Sequence, residues 1–142
     1  MPSLVQDTLH DLLWEVSAYA EMRGEAALAD LGLTLPSNGL LDAIVNEPGV
    51  TVAEMSRRVP KSQQAISQVV TRLERAGFVE RRLGSGRGVG LYATEAGREI
   101  SARGVDRELA VEAEMLALLG NERYESLRAL LLEARPILRR QP

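Results

Sequence analysis

The residues from Thr51 to Thr94 constrain the fold of this chain more than any other segment. Thr51 is followed three residues later by Glu54, a capping-box spacing in which each side chain bonds the other's free backbone N–H. Pro60 lacks a backbone donor and disfavours helical angles in the residue before it, so a first short helix is expected to end there. Ser62 is a good N-cap for a second helix. The segment therefore predicts a helix, a tight turn and a second helix.

The second helix is predicted to run from about Gln63 to Ala76, and Gly77 is expected to close it. Its apolar positions recur at helical spacing and form one stripe: Ile66, Val69, Val70 and Leu73. The remaining surface is rich in amides and hydroxyls: Ser62, Gln63, Gln64, Ser67 and Gln68. Such groups both donate and accept hydrogen bonds, so they can read the edges of DNA bases, while Arg72 and Arg75 can hold phosphates. The alternative is a solvated face that is merely rich in Gln.

Two short strands, Phe78–Leu83 and Leu91–Ala93, are expected to follow, joined by a loop with glycine at positions 84, 86, 88 and 90. Such a loop is flexible and can approach another surface closely. Arg87 near its tip suits a narrow minor groove or a phosphate. The glycines do not form the nucleotide-binding pattern G-x-G-x-x-G, because position 89 is Val and no helix begins directly after the loop.

In this order, these pieces resemble the winged helix-turn-helix of the MarR family of bacterial transcription regulators. The matching pieces are Leu33-Thr34-Leu35-Pro36, Thr51-Val52-Ala53-Glu54, Ser62 with Ser67, Arg72-Leu73-Glu74, Gly77-Phe78-Val79, Arg87 and Ala93-Thr94-Glu95-Ala96-Gly97. The resemblance covers nearly the whole chain. Three positions differ from the family pattern: Pro60 stands where Gly is frequent, Lys61 where an apolar residue is frequent, and Ser85 where an Asp usually precedes the wing arginine.

The resemblance implies a mainly α fold with a small β-hairpin wing, a winged helix-turn-helix with N- and C-terminal dimerisation helices. It implies a single domain, 1–142, with a DNA-binding lobe at 33–98 and dimerisation helices at 1–32 and 99–142. The function implied is that of a homodimeric, sequence-specific regulator of transcription, a repressor on a palindromic duplex that a small-molecule effector releases. The DNA contacts expected from the residues and the resemblance are Lys61, Ser62, Gln63, Gln64, Ser67, Gln68, Arg72, Arg82 and Arg87. The alternative, which the Pro60 and Ser85 positions leave open, is a winged-helix protein-interaction module without DNA binding.

The charge distribution agrees with a nucleic-acid partner although the net charge does not. The 142 residues carry a formal net charge of −3. Residues 51–98 hold nine basic and four acidic residues, a net +5, so the rest of the chain carries −8. A basic lobe on an acidic body is the electrostatic pattern expected of a DNA-binding protein, whatever the overall pI.

Several other chemistries are not expected. The chain has no cysteine, which excludes thiol-based oxidant sensing, and its single histidine, His10, argues against a zinc site. One histidine and no cysteine leave few nucleophile–base pairs, so the chain is not expected to be an enzyme, and no cofactor is indicated. No apolar run or signal peptide points to a membrane, and a cytoplasmic location is the default expectation.

The flanking segments carry apolar stripes at helical spacing, beginning with Leu9, Leu12, Leu13 and Val16. They hold more apolar surface than one small lobe needs, and in the MarR family such helices interlock with those of a second chain. The alternative is that they fold back on their own core. His10, Trp14 and Tyr19 on the first helix are candidate contacts for a ligand, since family members commonly bind aromatic or anionic molecules beside the dimer helices. Packing in a core or an interface is the alternative for each.

The boundaries of the flanking helices follow from capping and breaking residues. Gly32 is expected to end the first helix, and Pro36 suits the first turn of a helix over Ser37–Val45. Thr94 can cap a long helix that Gly120 ends. Asn121 is then expected to cap a last helix, which Pro136 should kink or end.

Overall fold

The structure, a computed structural model, describes residues 7–83 and 88–140. In chain order its elements are α1 (Leu9–Leu28), α2 (Leu35–Asn46), α3 (Val52–Arg58), α4 (Gln63–Arg75), β1 (Val79–Leu83), β2 (Val89–Ala93), α5 (Glu95–Leu119) and α6 (Asn121–Leu138). A three-residue 3₁₀ turn, Ala29–Leu31, follows α1. By its internal contacts the chain divides into two compact units, Met1–Glu108 and Leu109–Pro142.

Local capping sets the ends of α1 and α2. The Thr8 hydroxyl accepts from Asp11 N at 3.2 Å and begins α1. Gly32, with φ +70°, ends the 3₁₀ turn rather than α1 itself, so the predicted stop is confirmed with an extra turn before it. Thr34 caps α2, and a proline lies in its first turn as expected.

The core of the first unit lies between α2, α3, α4 and the hairpin, with the end of α1 packed against it. Its buried side chains are Leu28, Leu31, Leu33, Leu41, Ile44, Val50, Met55, Ile66, Val70, Leu73, Val79 and Leu91. This apolar layer holds α3 and α4 at a fixed angle to the strands, because close-packed interiors tolerate little rearrangement. The predicted stripe on α4 supplies three of these buried positions.

The two strands form an antiparallel hairpin in which Val79 lies opposite Ala93 and Leu83 opposite Val89. The hairpin is joined to the turn before α3 by a bridge that the sequence did not suggest. Gly49 N donates to Leu91 O at 2.8 Å, and Leu91 N donates to Val50 O at 2.9 Å. This bridge fixes the base of the hairpin against the start of α3.

The hairpin leads directly into α5. The Thr94 hydroxyl accepts from Gly97 N at 3.0 Å, as a helix cap does, and donates to Gly77 O at 2.6 Å. A Cβ on Gly97 would lie 2.0 Å from Phe78 O, so only glycine allows this close approach between α5 and the residue before β1. The predicted cap at Thr94 is confirmed.

In the second unit, α6 departs from the predictions at both ends. The N-cap of α6 is Gly120, with φ +81°, and not Asn121, which is the first helical residue. Pro136 lies inside α6, and the helix continues to Leu138, so the proline does not end it. Tyr124 near the start of α6 donates its hydroxyl hydrogen to Glu112 of α5, which raises the pKa of the tyrosine. No residue of α6 is buried by its own chain.

Within residues 7–83 and 88–140, the structure contains no helix that combines the length and the apolar character needed to cross a membrane.

Candidate nucleic-acid interface

The start of α3 is built by the predicted capping box. Glu54 N donates to the Thr51 hydroxyl at 3.1 Å, and Thr51 N donates to the Glu54 carboxylate at 3.3 Å. The single buried residue of α3 is Met55, which anchors the helix in the core. A helix of seven residues is too short to be stable alone, so this cap and this anchor define where it stands.

The turn between α3 and α4 is made without glycine. Lys61 N donates to Val59 O at 2.8 Å, which closes a three-residue turn centred on Pro60. The inverse γ-turn has a central φ near −75°, close to the value that the proline ring imposes. No non-glycine residue in the described ranges has positive φ. Ser62 then caps α4 by accepting from Ala65 N at 3.1 Å.

α4 separates an apolar side from a polar one. Ile66, Val70 and Leu73 are buried. The residues predicted to contact DNA lie on the other side and in the turn before it: Lys61, Ser62, Gln63, Gln64, Gln68 and Arg72 are exposed, and Ser67 is half-buried. Gln64 and Gln68 are one helical turn apart and share a face. The structure thus gathers these side chains on one surface that the core supports from behind.

Of the two predicted wing arginines, Arg82 lies among the residues that the structure describes. Arg82 lies on β1, where its guanidinium bonds the Glu80 carboxylate at 3.0 Å and sits 4.5 Å from the centre of the Tyr92 ring. Both partners lie on the same face of the hairpin as Arg82, which is exposed. Arg87 and Ser85, with the glycines at 84 and 86, lie outside the described residues.

Arg81 makes contacts that sequence reasoning missed. Its Nη2 donates to the Thr71 hydroxyl at 3.1 Å, and its Nε lies 3.5 Å from the Glu74 carboxylate. These contacts join β1 to α4. Strand alternation carried a signal for them, since Val79 is buried and Arg81, two residues on, must share its face.

A second arginine of the basic lobe is also neutralised within the chain. Arg58, at the end of α3, forms a two-pronged ion pair with Glu47 in the turn after α2, with 2.9 Å between Nη2 and Oε1. This hydrogen-bonded pair raises the pKa of Arg58 and lowers the pKa of Glu47. By contrast, in the part of the chain that is described, no ion pair holds Arg57, Lys61, Arg72 or Arg75.

The candidate ligand contacts lie on α1. His10 is exposed, and Trp14 and Tyr19 expose 63% and 59% of their surfaces. The Tyr19 hydroxyl reaches the Glu15 carboxylate on the same helix at 3.4 Å. None of the three packs into the core of its own chain. Packing in a core of their own chain is therefore not their role.

Two helices joined by a tight turn, the second exposing a polar face, followed by a β-hairpin, define a winged helix-turn-helix. A family model described as the MarR family matches residues 31–88. The chain is 36% identical over 110 residues to the HTH-type transcriptional repressor Rv2887 of Mycobacterium tuberculosis, an alignment that covers 76% of this chain and 79% of the relative.

Solved structures of the same relative superpose on this chain. The complex of Rv2887 with salicylic acid has a TM-score of 0.71 at 32% identity and covers 91% of this chain and 97% of the other. The complex of Rv2887 with DNA has a TM-score of 0.72 at 29% identity and covers 91% and 98%. The chain belongs to the MarR family of transcriptional regulators. The winged helix-turn-helix predicted from the sequence is confirmed.

Proposed function

We propose that this chain represses transcription as a homodimer that binds a palindromic DNA duplex in a sequence-specific manner and is released by a small-molecule ligand. The observation that carries the proposal is the exposed polar face of α4, which the core holds in place. Side chains that both donate and accept hydrogen bonds can read base edges in the major groove. The relative Rv2887, a repressor, has been crystallised with DNA.

Each site residue has a proposed role. Gln64 and Gln68 read base edges. The remaining polar contacts, Ser62, Gln63 and Ser67, support them at the start of α4. The basic residues Lys61, Arg72, Arg82 and Arg87 contact phosphates, with Arg87 reaching toward the minor groove. Residues 33–98 form the DNA-binding lobe in this proposal.

The proposed dimer is supported by apolar surface that the single chain leaves uncovered. The exposed apolar side chains of α1 are Leu9, Leu12, Leu13, Trp14, Val16, Tyr19 and Met22, and those of α6 are Leu127, Leu130, Leu131, Leu132, Ile137 and Leu138. Patches of this kind on a soluble protein mark interaction sites. A two-fold axis would place two copies of α4 in successive major grooves, about 34 Å apart. Residues 1–32 and 99–142 supply this interface in the proposal.

The proposed effector is a small aromatic or anionic molecule, because Rv2887 binds salicylic acid and p-aminosalicylic acid. His10, Trp14 and Tyr19 are the proposed contacts on α1, completed by the second protomer. A ligand that prefers one spacing between the two DNA-binding lobes would shift the population away from the DNA-bound form. We place the protein in the cytoplasm, with its DNA.

The test is a binding selection from a randomised duplex library with the purified full chain at low salt. The expected result is enrichment of a palindrome, with affinity that falls as salt rises. Gln64→Ala and Gln68→Ala should then relax base preference at defined positions by roughly 1–3 kcal/mol per contact. Arg103→Ala, an exposed change on α5 outside the DNA-binding lobe at 33–98, is the control. Failure to enrich any duplex would reject DNA binding and leave the protein-interaction module as the function.

A further inference from the structure

Arg81 connects the wing to the recognition helix α4 through two partners. Its Nη2 donates to the Thr71 hydroxyl at 3.1 Å, and its Nε lies 3.5 Å from the Glu74 carboxylate. Thr71 in turn donates to Ser67 O at 2.9 Å. We call Arg81, Thr71 and Glu74 the Arg81 cluster. Through it, a side chain of β1 is bonded to the stretch of α4 that presents the polar face.

The alternation of the hairpin explains why Arg81 and not Arg82 reaches α4. Val79 and Leu91, which pairs with Arg81, are buried, so this face of the hairpin packs against the core and α4. Arg82 points to the opposite face, where its guanidinium bonds Glu80 and lies over the Tyr92 ring. Two adjacent arginines therefore have different surroundings, although the sequence presents them as a pair.

The contacts of Arg81 oppose a role at phosphate. A guanidinium that already satisfies Thr71 and Glu74 would have to break both contacts to reach DNA, and Glu74 neutralises its charge. Its side chain is also less exposed, at 31%, than that of Arg82, at 60%. Arginine is suited to such a place because its planar, rigid group can serve two acceptors at once.

We propose that Arg81 is a positioning residue, which fixes the hairpin relative to α4 through Thr71 and Glu74 and so sets the geometry of sequence reading without touching DNA. This inference rests on the proposed function. In a fixed geometry, the wing and the polar face of α4 meet one duplex together. Without the Arg81 cluster, the two elements adapt to the duplex separately, and discrimination between sequences falls while attraction to phosphate stays.

The variants separate this role from a phosphate contact. Thr71→Val keeps the volume and charge of the side chain and removes only the hydroxyl that accepts from Arg81. Arg81→Ala removes the whole connection, and Arg81→Lys keeps a charge near Glu74 but not the planar group. Arg72→Ala serves as the phosphate comparison, and Arg103→Ala on α5 is the charge-matched control.

The measurement is affinity for the selected duplex and for a random duplex, each over a range of salt concentrations. Thr71→Val and Arg81→Ala are expected to lose roughly 3- to 10-fold in affinity for the selected duplex, the scale of one or two hydrogen bonds, with random-duplex affinity nearly unchanged. Arg81→Lys should recover only part of the loss. Arg72→Ala should weaken binding to both duplexes and reduce the salt slope, which is the slope of log affinity against log salt concentration, by about 1.

A uniform loss on both duplexes for Arg81→Ala, with a salt slope reduced by about 1, would show that Arg81 holds a phosphate and overturn the inference. An unchanged ratio of selected to random affinity in both Arg81→Ala and Thr71→Val would overturn it as well. If the wild type itself enriches no duplex, it is the proposed function that fails.

Amide hydrogen exchange without DNA tests the cluster on its own. Thr71→Val should speed exchange in β1 and at the end of α4 relative to Arg103→Ala, because a connection between them is lost. Equal exchange in the two variants would reject the cluster as a positioning device, whatever the DNA result. If Arg81→Ala does not fold, Thr71→Val alone carries both measurements.

Discussion

The crossing of α2 and α5 depends on a glycine that faces a buried asparagine. Asn38 is completely buried, and neither its Nδ2 nor its Oδ1 makes a hydrogen bond among the described residues. A Cβ on Gly104 would lie 2.0 Å from Asn38 Oδ1 and 2.8 Å from its Cγ. Real Cβ atoms do not approach this closely, and a fully buried side chain has little room to move away.

The cost of Gly104→Ala follows from these distances. Overpacking of a filled core costs about 1–3 kcal/mol, and alanine regains about 1 kcal/mol through helix propensity, so we expect a net loss of up to about 2 kcal/mol. Asn38→Ala removes both clashing atoms and leaves Leu33 Cδ1 at 3.1 Å as the nearest neighbour. In that background Gly104→Ala should stabilise the protein by up to about 1 kcal/mol.

Urea unfolding followed by circular dichroism, at one fixed protein concentration, measures the four members of this cycle. The expected coupling free energy between positions 38 and 104 equals the overpacking cost, about 1–3 kcal/mol, which lies within the range for residues in contact. If Gly104→Ala changes the free energy of unfolding equally in both backgrounds, Asn38 does not limit the space at this crossing and the reasoning is wrong.

Two further predictions concern pH. Burial raises the pKa of Glu108; the nearby Asn38 amide opposes this shift and Asp42 adds to it. The contribution of Glu108 to the free energy of unfolding is therefore complete below its unfolded pKa of about 4.3, and it is lost as pH rises through the raised folded pKa. Glu108→Gln should therefore stabilise the protein at pH 7 and have little effect near pH 4, as measured by urea unfolding; the opposite pH dependence would refute this. The hydrogen-bonded ion pair with Arg107, 2.7 Å between Arg107 Nη1 and Asp30 Oδ1, lowers the pKa of Asp30. The contribution of Asp30 to the free energy of unfolding is therefore present above its unfolded pKa of about 3.9, and it is lost as pH falls through the lowered folded pKa. Arg107→Gln should flatten the acid limb of the stability profile, and an unchanged limb would show that this exposed pair contributes nothing.

Local signals in the sequence predicted local structure well. The capping residues Thr51, Ser62 and Thr94 act within three positions of themselves, so spacing alone located the starts of α3, α4 and α5. Gly120 and Asn121 are both acceptable caps, and the sequence did not distinguish them. The glycine takes the cap with a positive φ of 81°, a conformation that favours glycine over asparagine.

Contacts between distant segments were not predictable in this way. The bridge from Val50 to Leu91 joins residues from opposite ends of the lobe, and the pairing of Arg81 with Thr71 requires the orientation of the hairpin on α4. The types of residue in a sequence do not determine which distant side chains contact each other, because that depends on strand register and orientation. The polar face of α4 could be predicted because helical periodicity alone separates it from the buried stripe.

Contacts within the folded chain change how many charges of the basic lobe, residues 51–98, are available to DNA. Residues 51–98 carry nine basic side chains, but Arg58, Arg81 and Arg82 each lie against a carboxylate of the same chain. Their charges are compensated before any DNA arrives, because an exposed ion pair presents little net field beyond its own surface. Of the proposed phosphate contacts, Lys61 and Arg72 beside the polar face of α4 are held by no ion pair among the described residues, so each should contribute more to the attraction than Arg82 does. Each phosphate neutralised contributes about −0.9 to the slope of log affinity against log salt concentration. A slope set by all nine basic residues would therefore be much steeper than one set by the unpaired cations alone. The sequence supplies the number of charges, whereas the folded hairpin and turns decide how many of them are left for DNA.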